Sequence, residues 1–178
     1  MQHSVKFYAT TLALLVSSVS IATTQPADSN SQAQPIRNIS EWDLSKKSLA
    51  IDGYDPVAYF PEGGSKATKG KKSITLTHKG VDYRFASEAN KAAFIANPSK
   101  YEPAYGAWCA WAMSRGSKTE VDPKSFIVKD DRLFLFYKGV FGNTKKDWQK
   151  GDHKKLSSQA DQEWKSISGE SPRPHTDE

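Results

Sequence analysis

The chain has 178 residues, 37% of them apolar and 11% aromatic, with a formal charge of +5 at pH 7. That length allows one domain with a real core and not two comfortable ones, and five tryptophans supply large buried surfaces from few side chains. A single cysteine, Cys109, excludes an intramolecular disulfide framework, so stability has to come from packing.

Residues 1 to 22 carry a basic position at Lys6, an apolar run from Phe7 to Val19, and the small residues Ser20 and Ala22. This is the pattern of a secretory signal peptide. The run is shorter than the roughly 20 apolar residues a membrane-crossing helix needs, and no run of that length follows. The expectation is an exported protein, periplasmic or secreted, with no integral membrane segment in its mature form. Loss of residues 1 to 22 removes Lys6 and no acid, taking the charge from +5 to +4.

Residues 23 to 40 are rich in Gln, Ser, Asn, Pro and Thr, and predict a disordered linker. Within it, Asn38-Ile39-Ser40 fits the N-glycosylation pattern. Residues 169 to 178 hold two prolines and almost nothing apolar, and predict a disordered tail. The domain is therefore expected over 41 to 168.

Gly64 to Ser73 predicts an exposed basic loop, because its glycine spacing and Lys72 break the phosphate-loop pattern. Ser73 to Thr77 and Val81 to Phe85 alternate about a turn at Lys79-Gly80, which predicts a hairpin. Ser87 can cap a helix with Ala89, Ala92, Ala93 and Phe94 near helical spacing, stopped at Asn97-Pro98. Tyr105 to Met113 predicts a buried turn or short helix ending near Gly116. Phe126 to Val128 and Leu133 to Tyr137 flank a polar turn, predicting a second hairpin. Leu156, Ala160, Trp164 and Ile167 predict a C-terminal amphipathic helix, with Trp148 and Trp164 as core anchors.

GYDPVAYF at 53 to 60, YRFASEANKAAF at 83 to 94 and NPSKY at 97 to 101 together resemble the YHS domain. The likeness extends to a secreted subgroup, through Tyr105-Gly106-Ala107-Trp108-Cys109-Ala110, and covers most of 48 to 168. It implies an α+β fold of small antiparallel hairpins with short helices, a treble-clef-like core and a C-terminal helix. In metal-binding YHS and related TRASH domains three cysteines converge on zinc or copper. Their places fall here on Ala58, Ala86 and Asn90, a set that cannot coordinate a soft ion, so the family metal site does not carry over. Asp55-Pro56 fixes a turn, and the Asp55 carboxylate is expected to bond nearby backbone amides, with a catalytic role as the other reading.

Three constellations could carry chemistry. Cys109 and Met113 are four residues apart, so on a helix they share a face and could hold copper or another soft metal, with His78 or His153 completing the set. Cys109 with the same histidines could instead form a nucleophile and base. Tyr54, Tyr59, Phe60, Tyr105, Trp108 and Trp111 could line a pocket for an apolar or planar ligand, haem being one form. Lys66, Lys69, Lys71 and Lys72, and Lys145, Lys146, Lys150, Lys154 and Lys155, suit solvation or an anionic surface. No nucleic-acid motif accompanies them, so no specific nucleic-acid partner is expected. The function expected is an exported, non-enzymatic binding or accessory module for an unidentified small ligand or protein. A copper-binding protein and a Cys109-dependent enzyme are the alternatives, and a disulfide-linked dimer through Cys109 is a further possibility.

Overall fold

The computed structural model describes Gln2, residues 37–45 and residues 48–173. Apart from Gln2, the segment expected as a signal peptide lies outside the described residues, as do residues 23–36 of the expected linker and residues 174–178 of the expected tail. The fold is α+β, as expected. Two short strands, β1 (Leu44–Ser45) and β2 (Leu49–Ala50), precede three single-turn 3-10 helices at Ile51–Gly53, Val57–Tyr59 and Pro61–Gly63. Strands β3 (Lys71–His78) and β4 (Val81–Phe85) then lead into helices α1 (Glu88–Ala96), α2 (Pro98–Tyr101) and α3 (Ala110–Met113). A second hairpin, β5 (Asp122–Lys129) and β6 (Arg132–Phe136), is followed by the small β7 (Lys138–Gly139) and β8 (Gly142–Asn143), then helices α4 (Thr144–Lys150) and α5 (His153–Ser168).

The first sheet has the order β1-β2-β4-β3, with β2 parallel to β4 and the other pairs antiparallel. Lys79 and Gly80 both take positive φ, 49° and 80°, the mirror-image turn whose twist matches two flanking strands. In β4 the side chains alternate, so Val81, Tyr83 and Phe85 are buried. Tyr83 and Phe85 meet the Phe94 ring of α1 at centroid distances of 4.7 and 5.4 Å. Ser87 caps α1 by accepting from Asn90 N, and Pro98 starts α2 instead of merely ending α1, because a proline at the first helical turn has no N–H to lose.

The second hairpin turns at Asp130 and Asp131, with φ of 52° and 53°. All five residues of β6 are buried, because the segment 103–109 runs beside it through parallel bridges to Leu133 and Leu135. Phe134 and Phe136 each lie 5.5 Å from Trp148 of α4. The α5 stripe buries Ala160 and Trp164 completely, with Leu156 and Ile167 partly covered. Trp148 and Trp164 are core anchors, as their pattern predicts. Gly106 is compulsory beside Trp164: its φ is +57°, and an added Cβ would lie 2.5 Å from the indole ring.

The fold extends past 41 to 168 at both ends. The Glu102 carboxylate, 2% exposed, accepts from Arg37 Nη1 at 2.6 Å, Arg37 Nη2 at 2.9 Å and the Tyr83 hydroxyl at 2.8 Å. Arg173 Nη2 lies 3.4 Å from the same carboxylate and donates to Glu170 at 2.9 Å. Glu170 also accepts from the Trp42 indole at 2.7 Å, with the Arg37 guanidinium 4.3 Å above that ring. Composition assigns Arg37 to the linker and Glu170 and Arg173 to the tail, because it counts missing apolar surface and cannot see paired charge.

Burial by itself pushes the Glu102 carboxyl up. The Arg37 hydrogen bonds, the charges of Arg173 and Arg37 and the Tyr83 hydroxyl outweigh it and hold the group below its ordinary value. The stability this supplies is present above the unfolded value of 4.5 and disappears as pH falls through the lower folded value. Glu102→Ala leaves Arg37 and Arg173 with Glu170 as their shared carboxylate and strands the buried Tyr83 hydroxyl, and should cost about 3 kcal/mol in urea unfolding. It should also flatten the stability profile of the parent below pH 4.5.

Candidate functional site

Of the three positions where resemblance places metal-binding cysteines, Ala86 and Asn90 donate to the Asp55 carboxylate and Ala58 to the Asp55 backbone carbonyl. Asp55 is fully buried. Its Oδ1 accepts from Val57 N at 2.9 Å, and its Oδ2 from Ala86 N at 2.7 Å and Asn90 Nδ2 at 2.6 Å. The Ala58 N–H donates to the Asp55 carbonyl at 3.3 Å. The carboxylate thus ties the 3-10 turn at Val57–Tyr59 to the end of β4 and the first turn of α1. With three donors in place it has little capacity left for a proton-transfer role, and Asn90 serves it as a donor.

The Cys109 constellation does not assemble. Cys109 is fully buried at the N-terminus of α3, and its Sγ lies 3.3 Å from the Thr144 hydroxyl. Met113 is buried one turn later, so the shared helical face is real. His78 has other neighbours: it stands edge-on to Phe94 at 5.9 Å, and burial together with the nearby arginines and Lys79 lowers its pKa although Glu102 opposes the shift. His153 accepts from the Trp148 indole at 3.0 Å and faces Asp130 at 3.2 Å. Among the described residues no group of three or more His, Cys, Asp or Glu side chains could hold a metal ion.

The aromatic pocket is not formed either. Tyr59 is buried against Phe126 at 4.8 Å and donates to the Pro123 carbonyl at 2.9 Å. Phe60 is buried edge-on to Tyr101 at 5.1 Å. Tyr105 packs on Phe134 at 6.0 Å and donates to Ser157 O. The Trp108 indole donates to Glu41 O, while Lys69 covers Tyr54 at 4.2 Å and Arg115 covers Trp111 at 3.4 Å. The six rings are engaged separately, by the core, by a backbone carbonyl or by a cation, and do not converge on one pocket.

Sequence reasoning missed a cleft of about 240 Å³ between β1, the Ile51–Gly53 turn, Ala107 and the segment before β5. Asp43, Asp52 and Glu120 line it. Burial and the neighbouring charges of Glu120 and Asp52 push the Asp43 carboxyl up to about 6. Ile51, Asp52 and Ala107 on its wall take φ of 50°, 50° and 73°, a region that costs non-glycine residues of order 1–3 kcal/mol each. The Ser45 hydroxyl of the lining donates to Leu49 O, and no Cys or His side chain lines the cleft. Such a wall can bind cations and hydrogen-bond donors, and the volume lies below the roughly 300 Å³ at which drug-sized pockets begin. In the sequence its acids are scattered, and the turn dipeptide Asp52-Gly53 is the one local signal.

Compared with family models, curated proteins and solved structures, the chain gives no match.

Asp55→Ala strands three donors, that of Val57 buried and those of Ala86 and Asn90 half-buried, and should cost about 3 kcal/mol in chemical unfolding. For Asp43 the folded pKa lies above the unfolded 3.8, so its unfavourable contribution grows as pH rises from 3.8 and is complete above about 6. Asp43→Asn should therefore stabilise the protein by about 1 kcal/mol at pH 8, allowing for solvent screening, and by nothing below pH 4, as read from thermal melts.

Proposed function

We propose that this chain is an exported, non-enzymatic binding or accessory module of the YHS type, which takes a small cationic or donor-rich ligand between Asp43, Asp52 and Glu120. The observation that carries this reading is the crowding of three carboxylates on one cleft, with Asp43 pushed up to about 6 and no nucleophile or imidazole beside them. A ligand cation would relieve that repulsion, and the clustered negative charge favours its binding. Burial of Cys109 and the three donors already bonded to Asp55 support the non-enzymatic reading. The scaffold resemblance supports the assignment to an accessory class, because Ala86 and Asn90, two of the positions it gives to metal-binding cysteines, here donate to the Asp55 carboxylate.

Calorimetry with a short aliphatic diamine, a divalent metal ion and a dicarboxylate tests the reading. The diamine is expected to bind at pH 7.5 and more weakly at pH 5, where Asp43 is protonated. Glu120→Gln should weaken it by about tenfold, the loss of one charge-assisted contact. Failure of both cations to bind, or equal binding by Glu120→Gln, would overturn the proposal. One Cu(I) per chain, lost in Cys109→Ala, would replace it with the soft-metal reading; rapid alkylation of native Cys109 would favour the thiol enzyme.

A further inference from the structure

The hairpin β7–β8 carries the most exposed large apolar residues described in the structure. Lys138 pairs with Asn143 and Gly139 with Gly142, leaving Val140 and Phe141 as a two-residue tip. Val140 is 92% exposed and Phe141 93%. Tight hairpin tips ordinarily use Asn, Asp or Gly, so an unsupported Val-Phe pair is not explained by turn chemistry. Nor does it contribute to the core.

The ribbon holding the tip is built to keep it outside. Tyr137 lies across Gly139, where an added Cβ would meet its hydroxyl oxygen at 2.4 Å, and that hydroxyl accepts from Phe141 N at 3.4 Å. Thr144 N donates to Tyr137 O at 3.1 Å, closing the base of the hairpin. The tip therefore projects with a phenol below it, the order of side chains found where an apolar anchor meets an interface.

The charge around the tip selects the partner. Lys138 precedes it and is exposed, and the first turn of α4 after β8 carries exposed Lys146 and half-buried Lys145, whose Nζ lies 5.8 Å from the centre of the Phe126 ring. Asp147 in the first turn of α4 and Asp122, opposite Phe136 on β5, are the nearby acids. Between 138 and 150 four lysines stand against one acid, and the whole chain is basic. Two apolar side chains are far too small a patch for a stable protein interface, which takes roughly 800 Å² per partner. A bilayer needs no matching cavity: it deforms around a short apolar wedge while its headgroups meet the lysines.

We propose that the Val140–Phe141 hairpin is an insertion tip that seats this protein on an anionic lipid surface, with Phe141 and Val140 in the acyl boundary and Lys138, Lys145 and Lys146 on the headgroups. No bond is made or broken. The attachment is reversible, since two side chains and three lysines amount to a weak anchor.

The test is flotation of the full chain with phosphatidylcholine vesicles containing about 30% phosphatidylglycerol, where anionic charge of this kind governs adsorption. The parent should float with these vesicles and far less with phosphatidylcholine alone. Val140→Ser combined with Phe141→Ser should lower partition on the order of tenfold or more, and Lys145→Glu with Lys146→Glu about as much. Phe141→Cys labelled with an environment-sensitive dye should blue-shift on the anionic vesicles, Cys109 being buried and out of reach of the label. Equal flotation of parent and tip variant, or an unshifted dye, overturns the proposal. So does a parent dimer that the tip variant dissolves without any vesicle retention, which would make the tip a contact between two copies.

Discussion

Asp55 is a buried carboxylate with three donors and no cation among its hydrogen-bond partners, and the first half of the domain depends on it. Val57 N, Ala86 N and Asn90 Nδ2 come from a 3-10 turn, a strand end and a helix, the last 35 positions from Asp55 in sequence. Three charge-assisted hydrogen bonds repay the desolvation of a carboxylate only if all three donors are held in place. The packing of Phe94 against Tyr83 and Phe85 holds them, so the core and the clasp each require the other.

A second buried carboxylate plays the same part for the chain ends. Glu102 draws Arg37 and Arg173 onto one site, while Glu170 and the Trp42 indole complete the network. Bidentate guanidinium geometry makes this possible where lysine would give a single point of charge. Both ends of the described domain thus close on Trp42, whose edge meets Trp164 at 6.2 Å. The cleft opens beside this closed region, next to Gly106, whose carbonyl accepts from Asp43 N at 2.8 Å. The bend at Gly106-Ala107 that lets Trp164 approach also brings Ala107 to the cleft wall.

Periodicity located the two hairpins, the capped helix after Ser87 and the α5 stripe, because each is local: alternate burial in β4 and the spacing of Leu156, Ala160, Trp164 and Ile167 follow from backbone geometry. The turns at Lys79-Gly80 and Asp130-Asp131 were legible for the same reason. The candidate sites fared differently. Cys109 and Met113 do share a helical turn, but His78 belongs to the Phe94 side of the sheet. Six aromatics close in sequence or motif proved to face six separate surroundings. The cleft acids Asp43, Asp52 and Glu120 come from segments that no local pattern links.

The sequence by itself determined the class of fold and the identity of most core residues, because these depend on residue type and short-range spacing. Tertiary structure alone decided which donors meet at Asp55, which charges close the ends, and where acidic and apolar groups are left facing solvent. Convergence of Asp55 with Asn90, of Glu102 with Arg37 and Arg173, and of three acids on one cleft is set by how distant segments pack. That packing is a property of the whole chain, and no window of neighbouring residues contains it.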